Sequence, residues 1–528
     1  MSPRTSTLYR TAFAVAALVA FHTHVYAQDA PATAAAAPAD AAVHELQDQV
    51  RQLRALVDEM RQENAASRVE MQQLRQDLQA TRALLEKPSN KSDVVAQVSP
   101  ATESGTVNPG SVESSSAPLE ERVQKLEEST SLLGSKIDEQ YQTKVETASK
   151  YRARLHGIIL MNAFRNVGGS NNLDLPDYAQ PINSAVYPAA NVGATLRQSQ
   201  IGLEVFGPTI AGARTSGDVQ FDFAGGFPAT GNGVNFGIVR LQTASMRFDW
   251  EHTSVVAGQD SLFLSPLSPT SFASLATPTF AYAGNLWGWT PQVRVEHRFS
   301  ISDGQTITLQ GGVLDNLNWE QNYSSFYRTP QAGELSGQPA YGIRTAWSRP
   351  LRERPLSIAV AGYYGRQDWT WGRYTDGWAG MADWQIPLLP RVGLSGEFYR
   401  GRGIGGLGGA VGTSIVFGGD PFNPTSPIRG LNTAGGWSQL KVQLTPKLEL
   451  NGVISLDNAF TEDIRGFATD QNNFGTIIGR NRGALGNVVF RPRSDLVLSA
   501  EMRRLRTFPV YSSSTSTNQV NLSVGILF

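Results

Sequence analysis

From Lys150 to the last residue, apolar and polar positions alternate with a period of two. In the final segment Val520, Leu522, Val524, Ile526 and Phe528 are apolar, and Gln519, Asn521, Ser523 and Gly525 stand between them. Successive side chains of a strand point to opposite faces, so this pattern predicts a strand with two chemically distinct sides. The same alternation runs through 151–164, 197–206, 212–223, 290–300, 338–348, 391–400, 436–444 and 494–505. One segment, 236–250, changes phase along its length. No amphipathic helical period interrupts 151–528.

The connections between these segments alternate in length. Tight turns are predicted at Gly207–Gly212, Trp250–His252, Ser302–Gly304, Arg349–Pro355, Leu389–Arg391, Thr445–Lys447 and Arg491–Asp495. Long loops are predicted at 165–193, 225–235, 260–289, 314–337, 366–374, 402–434, 458–474 and 507–515. Seven short and eight long connections join sixteen strands with both chain ends on the short-turn side. An even strand number with loops long on one side only marks an all-β transmembrane antiparallel barrel of the outer membrane of a Gram-negative bacterium. Closure is obligatory there, because an unpaired strand edge in hydrocarbon leaves backbone polar groups unsatisfied. The faces invert relative to a water-soluble sheet: apolar residues meet lipid and polar residues line the lumen. Tyr341, Trp347, Trp378, Trp384, Phe398, Phe248, Trp250 and Phe528 lie near strand ends, where interfacial girdles form.

Upstream the period changes. Val43, Val50, Val57, Asn64, Met71, Leu78 and Leu85 fall seven apart, with Leu46, Leu53, Met60, Ser67, Leu74 and Thr81 on the companion positions. This is a heptad seam, so 43–86 reads as a coiled coil about 65 Å long that needs partner chains. Val at one seam position and Leu at the other favour two strands, and Asn64 sets register. Residues 87–117 are a Ser/Pro-rich linker, and 118–149 form a second helical segment with Leu119, Val123, Leu126, Leu133 and Ile137 as its seam. At the start, Arg4 and Arg10 precede the apolar run Thr11–Phe21 and the small-residue site before Gln28. That is a signal peptide over 1–27. A low-complexity leader occupies 28–42, and the coiled coil is therefore expected in the periplasm.

Composition narrows the function. The 528 residues include no Cys, which removes disulfides, thiolate metal sites and thiol nucleophiles together. A net charge of −1 argues against nucleic acid as a partner. From Tyr151 onward there are 28 Arg and 2 Lys against 26 acidic residues, so the barrel is basic while the first 150 residues are acidic. Arg binds carboxylate and phosphate bidentately and keeps its charge. By alternation the inward set comprises Arg152, Arg154, His156, Arg240, Arg294, Glu296, Arg298, Arg344, Lys441 and Arg503, with Asp218, Asp222, Glu397 and Glu501. We take Arg152, Arg154, Arg240, Arg294, Glu296, Arg298, Arg344, Glu397 and Arg503 as the pore-lining candidates. A sixteen-stranded barrel is wide enough for an aqueous channel, and a basic lining favours anions. The loop 260–289, rich in Leu, Pro, Phe and Ser, suits a position folded inward against the wall and is assigned as the pore-narrowing loop.

The run Phe236-Gly-Ile-Val-Arg240-Leu241, then Trp250, then Ala257-Gly258-Gln259, and Pro291-Gln292-Val293-Arg294 after the long loop, resembles the DcaP-like trimeric porins, related to the phosphate-type porins. The resemblance implies a sixteen-stranded homotrimer in outer-membrane lipid, with a periplasmic coiled coil, that passes small anionic solutes, dicarboxylates foremost. It carries Arg240 and Arg294 over as lumen residues. The split helical region with its long linker departs from that pattern.

The expected function is passive diffusion through an Arg-lined lumen. The alternative is a structural anchor whose coiled coil contacts the cell wall or a periplasmic partner. An enzyme is not expected: His156, His252 and His297 are the only barrel histidines, and no Gly-x-Ser-x-Gly run is present. No cofactor motif or metal-ligand spacing is found. The glycine run Arg402-Gly-Ile-Gly-Gly-Leu-Gly-Gly lacks the Lys-Ser/Thr of a phosphate loop and reads as a flexible external loop.

Overall fold

The computed structural model describes residues 152–528, apart from 184–185, 228–236, 303, 319–327, 352–353 and 474, together with the short strand Lys144–Val145. The signal peptide, leader, coiled coil and linker lie outside the described residues. Of the second helical segment only Lys144–Val145 is described. It is extended and pairs with Ala153 and Arg154, so the helical reading does not hold there.

The strands are β1 (Arg152–Val167), β2 (in two runs, Ala190–Thr195 and Gln200–Ile210), β3 (Ala213–Asp222), β4 (Arg240–Asp249), β5 (Thr253–Ser261), β6 (Trp289–Ser300), β7 (Thr306–Leu314) and β8 (Ala340–Leu351). They continue as β9 (Arg354–Asp368), β10 (Tyr374–Leu389), β11 (Val392–Arg402), β12 (Asn432–Thr445), β13 (Leu448–Ala459), β14 (Ile478–Phe490), β15 (Leu496–Pro509) and β16 (Thr515–Leu527). Each pairs antiparallel with its neighbour in sequence, and β16 returns to β1 from Ile158↔Leu527 to Val167↔Asn518. Past the end of that ladder, Gly157 and Phe528 exchange backbone hydrogen bonds of 2.9 and 3.1 Å. The sixteen-strand sheet closes on itself.

Every predicted tight turn and long loop falls between the strands expected to flank it. The outward positions form an apolar belt: Met161, Val295, Ile343, Val360, Ile454, Met502, Leu522 and Ile526 are all exposed. Tyr341, Trp378 and Phe398 stand on the same outer face, and Tyr341 stacks on its cross-strand partner Tyr364. The phase change in 236–250 is a β-bulge. Gln220 pairs with Thr243 and Phe221 with Leu241, which leaves Gln242 as the extra residue on β4. Residues before the bulge face inward at even numbers and those after it at odd numbers.

Two short hairpins (Gly169–Ser170 with Ala179–Gln180, and Ile415–Phe417 with Ile428–Gly430) and one helical turn, α1 (Ala332–Leu335), belong to the long loops.

Candidate functional site

Polar side chains on the inner wall can be hydrated or satisfied by protein, and the barrel uses both on different sides. The loop joining β5 to β6 crosses the lumen. Its first residues Phe263 and Leu264 pack over Gly342 of β8, in one cluster with Tyr363, Met381 and Tyr399. Ser265 and the Leu267 N–H donate to Glu397 of β11 at 2.6 and 2.9 Å. The Thr270 N–H donates to Gln439 of β12 at 2.8 Å, and Asn487 of β14 donates to the Thr270 carbonyl at 2.7 Å. Ser271 donates to Glu501 of β15, Asn162 of β1 donates to the Phe272 carbonyl, and Gln198, just before the second run of β2, donates to the Ala273 carbonyl. Arg240 of β4 reaches the Ala276 carbonyl. The loop then returns, with Phe280 against Gly483 and Asn481 of β14 bonded to the Tyr282 carbonyl at 3.0 Å. The inward folding expected for this loop is observed.

Two further loops descend from the same end. The loop after β1 is held by an Ala179 N–H bond to Thr507 and by the bidentate pair Arg197–Asp174. Asn481 donates to the Asp177 carbonyl as well as to Tyr282, and so ties this loop to the crossing loop. Burial raises the Asp177 carboxyl to about 6, against the hydrogen bond from Asn171 and the positive field of Arg503. The glycine run after β11 is not a flexible external loop. Ile404, Leu407, Ala410 and Val411 are buried, and the Val411 N–H donates to Asp457 at 2.5 Å. The backbones approach so closely that a Cβ on Gly406 would meet the Leu317 carbonyl oxygen at 2.2 Å.

All nine pore-lining candidates occupy inward positions, but they divide into two groups. Glu397 and Arg503 lie dry beneath the crossing loop. Arg503 pairs with Glu501 at 2.8 Å with both side chains at most 3% exposed, and it reaches Ser274 and Ser271. These two residues hold the loop and border no open lumen, which corrects their assignment. Arg294 and Glu296 are also buried. Arg294 forks between Asp260 (2.7 Å) and Glu296 (2.9 Å) under the ring of Phe263, and Glu296 also accepts from Arg247 and Gln310. Arg344 makes a bidentate pair with Asp383 at 2.8 and 3.0 Å.

The opposite wall, β1 to β6, is open in part, although Asp222, Arg294 and Glu296 on it are buried. Arg240 (29% exposed), paired with Asp222, and Arg247 (34%), paired with Asp249, stand on β4. His156 of β1 bonds Asp218 of β3 (37% exposed) at 3.1 Å. Arg154 pairs with Glu204 at 2.5 Å nearer the short-turn end. Arg298 donates to Ser254 at 3.2 Å, and among the described residues neither it nor Arg152 has a direct ion pair. The alternation rule missed Arg247, because the bulge at Gln242 moves it from the lipid-facing to the lumen-facing phase. The phase change in the sequence was the available signal.

A closed sixteen-strand antiparallel barrel with an inward loop is the fold of the outer-membrane porins. The chain is similar to the outer membrane channel DcaP of Acinetobacter baumannii, with a TM-score of 0.54 and 14% identity over 72% of this chain and 99% of that one. It also matches an anion-selective porin from Comamonas acidovorans (TM-score 0.44, 11% identity, 72% and 100% covered) and Pseudomonas putida OprB (0.43, 12%, 71% and 94%). No protein-family model matches the chain, nor does any curated protein. The DcaP likeness establishes the barrel fold and is to the same group of channels that the sequence resembles.

Proposed function

We propose that the protein is a passive diffusion porin of the outer membrane, assembled as a homotrimer, with a preference for small anionic solutes including dicarboxylates. The observation that carries this reading is the asymmetry of the lumen. The crossing loop is pinned dry mainly against β8–β16 and β1, while on the other side Arg240, Arg247, His156 and Asp218 keep about a third of their side-chain surface free. Water and solute pass along that wall, where opposed charges orient dipolar solutes. Most guanidiniums there are matched by a carboxylate. The anion preference rests on Arg298 and Arg152, and on the free edges of Arg154 and Arg240, which present N–H donors suited to a planar carboxylate.

The test is the reversal potential of the purified protein in planar bilayers across a salt gradient, with chloride, phosphate and succinate as the anions. Three equal conductance steps and an anion-directed reversal potential are expected. A folded barrel that conducts without anion preference overturns the selectivity. One that does not conduct overturns the channel.

A further inference from the structure

The outer face of the barrel carries arginines that the lumen does not use. From β13 through β16 to β1 the outward positions alternate cleanly and include Arg480 and Arg482 on β14, Arg504 and Arg506 on β15, and Arg165 on β1. No Asp or Glu occupies any outward position of these five strands. Among the described residues none of the five arginines takes part in an ion pair; Arg480 donates to Asn458 at 2.6 Å and Arg506 to Ser514 at 3.1 Å.

Their arrangement is costly without a ligand. Arg482 stands directly opposite Arg506 in the ladder, a like-charge cross-strand pair that disfavours the sheet. Phe508 collects three of the guanidiniums at one point, with Arg506, Arg482 and Arg480 at 5.0, 5.3 and 5.7 Å from its ring centroid. Cation–π contact holds each guanidinium but does not neutralise it. The height of the cluster is informative. On β15 Leu498, Ala500 and Met502 belong to the apolar belt and Arg504 is the next outward residue. On β14 the belt runs Phe490, Val488, Gly486, Ala484 and then Arg482. The arginines therefore begin where the hydrocarbon ends, on the long-loop side, where the headgroups of the facing leaflet lie.

We infer that this patch binds the phosphate-monoester headgroup of an outer-leaflet lipid. A phosphate between Arg482 and Arg506 turns the like-charge pair into two charge-assisted, fork-type contacts, while the acyl chains lie on the Met502 and Val520 belt. This rests on the outer-membrane placement proposed above, but not on conduction.

The test uses the full chain in mild detergent, with phosphatidic acid as the probe, phosphatidylcholine as the neutral control and inorganic phosphate as the soluble competitor. Binding is read by native mass spectrometry. Phosphatidic acid is expected to bind about a hundred-fold more weakly to R482Q/R504Q/R506Q, the loss of both charge-assisted contacts at about ten-fold each, with phosphatidylcholine unaffected and inorganic phosphate at matched concentration displacing nothing. Should the triple Gln variant fail to fold, R482K/R504K/R506K keeps the charge but loses the fork, and a several-fold drop is expected. Equal binding by native and variant protein overturns the inference. So does displacement by inorganic phosphate, which makes the patch a soluble-anion site. Loss of oligomer with lipid binding unchanged also overturns it, because the face then belongs to a subunit contact. None of the three residues faces the lumen, so conductance of the variant is expected to be native.

Discussion

The Ser265 hydroxyl and the Glu397 carboxylate meet at 2.6 Å, joining the start of the crossing loop to the middle of β11. The same carboxylate accepts the Leu267 N–H at 2.9 Å and the Trp437 indole N–H at 3.3 Å. One buried side chain thus fixes two loop residues and a neighbouring strand. Removing it takes the acceptor from the Leu267 N–H and the Trp437 indole N–H, while the Ser265 hydroxyl keeps the Leu286 carbonyl at 2.9 Å. Each buried donor left without an acceptor costs about 1–3 kcal/mol. Glu397→Ala is therefore expected to release the loop while the barrel stays closed. The expected outcome is larger and noisier single-channel current with a lowered unfolding temperature. Unchanged current would show that the loop is held without this anchor.

A second anchor is steric. Gly405 and Gly406 sit where a Cβ would meet the Ser414 nitrogen at 2.4 Å and the Leu317 oxygen at 2.2 Å, both backbone atoms that cannot swing aside. Gly406→Ala is expected to lift the loop after β11 out of the mouth, and with it the Trp287 N–H bond to the Leu407 carbonyl. Limited proteolysis between β11 and β12 is the direct readout, with cleavage much faster in the variant. A protected loop would mean that the neighbouring backbone yields.

These two anchors show what the sequence discloses and what it hides. Strand number, turn placement and inward parity follow from alternation alone, because a residue's face in a sheet depends only on its neighbours in the chain. The inward loop followed from its apolar composition. Which inward residues stay wet depends on contacts between segments far apart in the chain. Glu397 and Arg298 have the same alternation signature, and only the path of the crossing loop makes one dry. The glycine run misleads for a related reason. Glycine serves flexible loops and very close backbone approach equally well, and the carbonyl that Gly406 approaches lies in another loop. Arg247 was lost to a single extra residue, Gln242, whose phase shift was visible but not placed.

Asp177 gives the mouth a pH dependence. Its carboxyl is raised to about 6 by burial, with Asp174 adding repulsion and Arg503 and Asn171 opposing. Tyr178 beside it is raised as well, chiefly by burial. An acid raised in the folded state binds its proton more tightly there than in the open chain. The docked state of this loop is then most stable below about 4, the ordinary Asp range, loses stability as pH rises through about 6, and is level above that. Hydrogen exchange of the Ala179 N–H, corrected for intrinsic rate, should show protection falling over this interval. Asp177→Asn should flatten the profile. A native profile that is already flat would remove Asp177 as its source.

Arg298 and Arg344 face the same lumen and should respond oppositely to truncation. Arg344 is 11% exposed and its fork is filled by Asp383, itself 6% exposed. Arg344→Ala strands a buried carboxylate and is expected to cost about 3–5 kcal/mol, seen as a lower temperature for loss of the folded band on a gel. Asp383→Asn in the same chain should restore part of that loss, since an amide carries no charge to strand. Arg298 has no direct ion pair among the described residues, and its bond to Ser254 at 3.2 Å is long. Arg298→Ala is expected to leave stability near native but to lower the anion-to-cation permeability ratio by about six-fold, since one unit charge at ~8 Å through water shifts anion and cation by about 0.5 kcal/mol each in opposite directions. If instead Arg344→Ala shifts selectivity and Arg298→Ala does not, the solute runs along β8–β10 and the wet wall has been placed on the wrong side.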